Sequence, residues 1–156
     1  GHRLIEDSAI EVLASELIPL ARIITPNLPE AEVLAGCSIS SAGEFPQVAR
    51  KLSCGGLVSV LMKAGHLCGS DVTDIFYNAE TDSIRSYSHP RIDTPNTHGT
   101  GCTLSSALAS FLAQGLAPDD AVGAAIAYVS GAIESGAGYS IGHGHGPVNH
   151  FWNIKR

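Results

Sequence analysis

The sequence predicts an α/β layered domain, and three observations carry that prediction. Two apolar runs, "ARIIT" and "GLVSVLMK", have the length and continuity of strands buried on both faces. Stretches with apolar residues at helical spacing precede, separate and follow them. A turn-prone "AETD" divides two segments of strand character, "TDIFYN" and "SIRSYS".

In chain order, Ile10, Leu13, Leu17 and Ile18 recur at helical spacing behind Glu6 and Asp7, which suit a helix N-terminus; this helix is expected to cover a sheet. The run "ARIIT" is stopped by Pro26. In "PEAEVLAG", Pro29 fits a first helical turn and Gly36 a C-terminal stop. A second helix is expected over roughly residues 43 to 53, ending before "CGG", and the second buried strand runs from Gly56 to Lys63. The two segments around "AETD" read as an antiparallel hairpin on the sheet edge. Leu104, Ala107, Leu108, Phe111 and Leu112 then follow i, i+3, i+4, i+7, i+8, with Gly115 as a left-handed cap. A last helix starts at Pro118, has Asp119 and Asp120 in its first turn, and carries Val122, Ile126, Val129 and Ile133 on one face.

Composition bounds the function. The 156 residues are 44% hydrophobic and 15% charged, enough for one compact domain or part of one. The formal charge of −6 and the lack of a Lys/Arg cluster argue against nucleic acid or an anionic membrane and for a small-molecule partner. No apolar window approaches the ~18 residues of a spanning helix, and the start has neither the basic flank nor the apolar centre of a signal peptide. Cys37, Cys54, Cys68 and Cys102 form no C-x-x-C pair and fit free thiols in a reducing cytosol. The chain opens on Gly1 and enters an amphipathic pattern almost at once, and two buried strands with a hairpin make a small sheet for these helices. It is expected to be a piece of something longer.

The chemistry gathers at "PNTHGTGCTLSSALASFLAQG". A helix N-terminus leaves backbone N–H groups unpaired and carries the positive end of the macrodipole, so Gly99, Thr100 and Gly101 stand where phosphate oxygens could sit. The pattern is neither the P-loop nor the dinucleotide fingerprint, and by spacing alone a loop that merely turns the chain into a helix explains it as well. Cys102 follows directly; thiols in a first helical turn gain thiolate character and can serve as nucleophile or base, although a lone Cys also serves as a small buried hydrophobe. Lys63 ends a buried strand, where α/β sheets face their ligand crevice, or it is a surface lysine terminating that strand. Asn27 and Glu30, in "TPNLPE", could hold the water shell of Mg²⁺, or cap the helix and complement its dipole.

Taken together and in this order, "ITPNLPEAEVL", "VLMKAGH", "NTHGTGCTLSSALA" and "GHGPVNHF" resemble the hydroxymethylpyrimidine/phosphomethylpyrimidine kinases of thiamine biosynthesis, in the ribokinase-like superfamily, over essentially the whole chain. The resemblance implies a ribokinase-like three-layer α/β/α domain, of which residues 1–156 are the C-terminal, nucleotide-facing part and the N-terminal part is absent. It implies ATP and Mg²⁺ as cofactors, an aminopyrimidine alcohol and its monophosphate as acceptors, a homodimer when full length, and a cytoplasmic location. It implies an anion hole at Gly99, Thr100 and Gly101, with Cys102 as general base where many relatives carry an aspartate. Lys63 would steady phosphate charge, and Asn27 and Glu30 would organise Mg²⁺, through water. The chain departs from the family at Ala64-Gly65, where Gly-Gly is common, which bears on the backbone path beside Lys63.

Alone, the chain is expected not to be a competent kinase, and its apolar sheet edge is expected to expose surface that the missing part covers. Rival readings are a pyridoxal kinase, a catalytically idle nucleotide-binding module, and a thiol-dependent redox protein, the last weakened by the lack of a resolving cysteine near Cys102. His143, His145 and His150 match no standard zinc spacing and read as a glycine-rich closing loop, and His98 is expected to shape the loop before Gly99.

Overall fold

The computed structural model describes residues 6–65 and 69–154, in two compact units comprising residues 1–89 and 90–156. Cys68 lies outside the described residues; Cys37, Cys54 and Cys102 are free thiols.

The first unit is built on a four-stranded sheet in the order β1-β2-β3-β4: β1 (Ile23–Ile24), β2 (Ser59–Met62), β3 (Asp71–Asn78) and β4 (Ser83–Pro90). β1 and β2 are parallel, pairing Ile23 with Ser59 and Ile24 with Val60. β2 and β3 are antiparallel, with Val60 opposite Tyr77, Leu61 opposite Phe76 and Met62 opposite Ile75. Because strand side chains alternate, Val60, Met62, Ile75 and Tyr77 share one face, while Leu61 and Phe76 share the other. β2 is buried throughout, as its continuous apolar run predicts. β3 and β4 are adjacent strands joined by a four-residue turn, a connection too short for any but an antiparallel pair, so the expected edge hairpin is present. The Oγ1 of Thr73 and the Oγ of Ser88 hydrogen-bond between the two strands at 2.9 Å.

Two helices cover the Val60 face: α2 (Leu28–Ala35) and α3 (Phe45–Leu52), the latter entered through a short 3₁₀ turn, Ala42–Glu44. α2 begins and ends where Pro29 and Gly36 place it; α3 turns Phe45, Val48, Ala49 and Leu52 inward. These join Ala31, Ala35 and Ile39 over the sheet as the core of the unit.

Two expectations need correction. The first helix, α1 (Asp7–Val12), passes into a π-type turn at Leu13–Leu17 and a 3₁₀ turn at Ile18–Leu20. The wider turn breaks the 3.6-residue register, so the apolar stripe does not stay on one face: Ile18 is buried but Leu17 is 59% exposed. The segment is therefore not the single regular helix that its spacing suggests. β1, expected to be buried on both faces, is only two residues long and half-buried, having β2 as its one strand neighbour among the described residues.

The second unit is an antiparallel pair of helices, α4 (Thr100–Ala113) and α5 (Pro118–Gly136), packed together. Leu104 and Leu108 of α4 are buried while Ala107, Phe111 and Leu112 are half-buried; on α5, Val122, Ile126 and Val129 are buried beside Ala121, Ala125 and Ala132, with Ile133 half-buried. The inward face of α5 is thus carried by alanines as well as by the predicted branched residues, which lets a neighbour approach closely. Among the described residues, no helix is long and apolar enough to cross a membrane.

Phe45 is fully buried, so Phe45→Ala is expected to lower unfolding free energy by about 3–5 kcal/mol in urea titrations. At the hairpin turn, the exposed Asp82 accepts hydrogen bonds from Arg50 Nη1 and Tyr77 Oη, which, with the Arg50 charge, hold its carboxyl below the usual value. A depressed folded-state value stabilises above the unfolded carboxylate pKa, and that contribution disappears as pH falls through the folded value. The urea midpoint of Asp82→Asn is accordingly expected to lie slightly below that of the parent at pH 7 and to converge with it in acid.

Candidate active site

In the first unit, the parallel pairing of β1 and β2 continues past both strands. Lys63 N–H donates to Pro26 O at 3.0 Å, and Asn27 and Lys63 form an isolated parallel bridge. The C-terminal ends of two neighbouring parallel strands therefore bring Asn27 and Lys63 side by side, at the sheet end where α/β proteins bind ligands. Glu30 joins them through a reciprocal cap of α2: Asn27 Oδ1 accepts from Glu30 N–H at 2.9 Å, and Glu30 Oε2 accepts from Asn27 N–H at 2.8 Å. The capping role open in the sequence is thus present. It occupies one oxygen of the exposed Glu30 carboxylate and leaves Oε1 without an assigned partner, so the donor set still suits a hydrated divalent cation.

The backbone beside Lys63 is held by a residue that sequence reasoning missed. Asp74, on β3, is only 6% exposed; its Oδ1 accepts the Ala64 N–H at 2.8 Å, and its Oδ2 lies 3.7 Å from His89 Nε2. A carboxylate interrupting the apolar run "VTDIFY" is the signal that could have found it, since a buried charge requires partners. Ala64 itself is buried, and the path that the departure from Gly-Gly put in question is fixed by this bond.

In the second unit, Gly99 is the N-cap of α4 with φ +90° and ψ 0°, a conformation that side-chain-bearing residues rarely adopt. Thr100 N–H donates to Thr97 O at 3.3 Å and Thr103 N–H to Gly99 O at 2.9 Å; among the described residues, the amides of Gly101 and Cys102 have no acceptor. Cys102 is exposed, not a buried hydrophobe. The second unit thus presents two free donors and a thiol at the positive end of a 14-residue helix.

The loop before Gly99 is anchored by Asn96, which is 4% exposed. Its Nδ2 donates to Gly136 O, Ala137 O and Tyr139 O at 2.9, 3.2 and 2.8 Å, at the end of α5 where Gly136 O also accepts from Tyr139 N–H and Ala137 O from Thr94 Oγ1. His98 is exposed, and its backbone rather than its ring shapes the loop: its N–H donates to Gly146 O at 3.0 Å and its carbonyl accepts from Val148 N–H at 3.4 Å. No three His, Cys, Asp or Glu side chains gather as a metal site among the described residues. In the closing loop, His145 Nδ1 lies 3.4 Å from Pro95 O and His150 Nε2 lies 2.9 Å from Thr103 Oγ1.

A parallel sheet end carrying an amide, a carboxylate and a lysine, and a glycine-led helix with free amides, belong to an α/β fold of the ribokinase-like class. The pyridoxal kinase of Staphylococcus aureus, solved in complex with AMP-PCP and pyridoxal, has a similar structure, with a TM-score of 0.88 and 28% identity over 98% of this chain and 56% of that one. Within that class, the phosphomethylpyrimidine kinase family matches residues 1–149, and the chain belongs to it. It is 43% identical over 154 residues to the hydroxymethylpyrimidine/phosphomethylpyrimidine kinase of Rhizobium meliloti, covering 97% of this chain and 56% of that protein. It is also 43% identical, over 150 residues, to the thiamine biosynthesis bifunctional protein ThiED of Geobacter sulfurreducens, covering 96% of this chain and 30% of that protein. The chain thus spans about half the length of the Rhizobium relative and less than a third of the Geobacter one. The family resemblance carried by "TPNLPEA" and "NTHGTGCTLS" is borne out.

A Cβ on Gly146 would stand 2.0 Å from Asn96 Oδ1. Gly146→Ala is therefore expected to push Asn96 off its carbonyls and to cost about 1–3 kcal/mol of stability, measured by denaturant unfolding.

Proposed function

We propose that this chain supplies the C-terminal, nucleotide-facing part of a kinase that transfers the γ-phosphoryl group of ATP to the alcohol of 4-amino-5-hydroxymethyl-2-methylpyrimidine, and a second phosphoryl group to the resulting monophosphate. The observation that carries the proposal is the start of α4: unpaired Gly101 and Cys102 amides behind a left-handed glycine, in a chain of the phosphomethylpyrimidine kinase family.

Phosphoryl transfer needs positioning and charge stabilisation more than covalent participation by the protein. At the Gly99–Thr100–Gly101 turn expected to form the anion hole, the Thr100 amide is held by Thr97 O, so the free amides of Gly101 and Cys102 bind the equatorial oxygens of the γ-phosphoryl group, and because they are already oriented, little reorganisation accompanies the reaction. In the first transfer, Cys102 acts as general base and takes the proton of the substrate hydroxyl as that oxygen bonds to phosphorus and the bond to the ADP oxygen breaks. In the second, a phosphate oxygen of the monophosphate is the nucleophile and no hydroxyl proton has to be removed. Lys63 offsets charge on the phosphates. Asn27 and Glu30 would hold Mg²⁺ through water, and the bound ion would neutralise phosphate charge. The remaining pyrimidine contacts and the rest of the sheet come from residues upstream of this chain, and the whole protein works as a cytoplasmic homodimer. A pyridoxal kinase is the second reading, supported by the likeness to the Staphylococcus aureus enzyme.

The test is ADP release from Mg-ATP with the aminopyrimidine and, separately, with pyridoxal, for this chain and for a longer protein carrying upstream residues. Turnover is expected only in the longer protein, with preference for the aminopyrimidine. Cys102→Ala is expected to reduce the first phosphorylation roughly 10²–10⁴-fold. A folded longer protein that binds ATP yet turns over neither acceptor would replace this reading with that of an idle nucleotide-binding module.

A further inference from the structure

We propose that His150 is a positioning residue for the glycine turn at the start of α4, acting through Thr103; the inference rests on the kinase reading above. It begins with a count of protons. The Thr103 hydroxyl has one hydrogen, and it goes to Gly99 O at 2.7 Å. The 2.9 Å contact between Thr103 Oγ1 and His150 Nε2 must then be donated by the imidazole, so His150 carries a proton on Nε2. The resulting chain runs from His150 Nε2–H to Thr103 Oγ1–H to Gly99 O, which also accepts the Thr103 N–H.

The place where this chain ends gives it a role. The Gly99 carbonyl and the Thr100 N–H belong to one peptide plane, and a glycine at φ +90° can rotate that plane at little cost. Thr103 holds its oxygen from below, and Thr97 O holds its N–H at 3.3 Å. Thr103 is itself only 6% exposed, and His150 fixes the direction of its hydroxyl. The orientation of the plane sets where the free Gly101 and Cys102 amides point.

The backbone that carries His150 is in turn tied to α5. Asn149 N–H donates to Ala132 O at 2.9 Å, Tyr128 Oη donates to His150 O at 2.7 Å, and the Trp152 ring lies so close to Gly131 that a Cβ there would stand 2.5 Å from it. The closing segment is thus bound to one helix and reaches across to tune the N-terminus of the other.

Two readouts on residues 1–156 test the proposal. Amide exchange followed by NMR is expected to speed up about tenfold at Thr103 in His150→Ala, with Leu108 in mid-helix unchanged, and the ¹⁵N signature of a protonated Nε2 is expected to change in Thr103→Val. Affinity for Mg-AMP-PCP is expected to fall about fivefold in either variant, to fall no further in the double variant, and to recover in His150→Gln and Thr103→Ser, which keep a donor and a hydroxyl. Unchanged Thr103 exchange in His150→Ala, additive losses, or failure of both conservative variants to recover would overturn the proposal. If the parent chain binds no AMP-PCP, the kinase reading is what suffers, and the exchange and ¹⁵N results still decide the hydrogen-bond chain by themselves.

Discussion

The end of α5 leaves carbonyls that need donors, and one buried amide reaches three of them. Asn96 spends both its hydrogens on the carbonyls of Gly136, Ala137 and Tyr139. Thr94 Oγ1 adds a bond to Ala137 O and accepts from the Asn96 N–H. This obligation fixes the loop that enters α4, and it leaves so little room beside Asn96 that residue 146 has to be glycine. The free amides at Gly101 and Cys102 therefore owe their position to a helix end on the other side of the unit. Displacing the loop that Asn96 anchors means taking a donor from those carbonyls.

The first unit solves a related problem with strands. Parallel strands present their C-terminal ends together, and the pairing of β1 with β2 continues beyond both strands, bringing Asn27 beside Lys63. The reciprocal cap between Asn27 and Glu30 gives those residues a structural role whatever else they bind. Structural and functional roles are compatible at Glu30, since a carboxylate has a second oxygen. Asp74 adds a constraint from the neighbouring antiparallel strand by holding the Ala64 amide. A residue outside the recognised motifs thereby controls the backbone that carries Lys63.

Much of this was legible in the residues. Apolar continuity predicted β2, the "AETD" turn predicted the edge hairpin, and Pro29, Gly36, Pro118 and Gly115 marked helix ends that the structure keeps. These features succeed because they rest on local causes: period, fixed φ, missing donors and left-handed backbone. The first helix failed for a complementary reason. Its spacing is helical, but nothing in a hydrophobic pattern forecasts a π-type turn at Leu13–Leu17, and one such turn redirects every following side chain.

The sequence by itself determined the class of the fold, the family, and the residue types at the two candidate groups, Asn27, Glu30 and Lys63 in one unit and Gly99 to Cys102 in the other. Motifs of contiguous residues can do this because their chemistry is written side by side. Tertiary structure alone decided that Lys63 neighbours Asn27, that Asp74 holds Ala64, that Asn96 closes α5, and that His150 reaches Thr103. Each of those contacts joins residues between 10 and 47 positions apart through a hydrogen bond or bridge whose partner no local pattern specifies. They form because a buried polar group must be paired, and only the folded chain determines which partner is within reach.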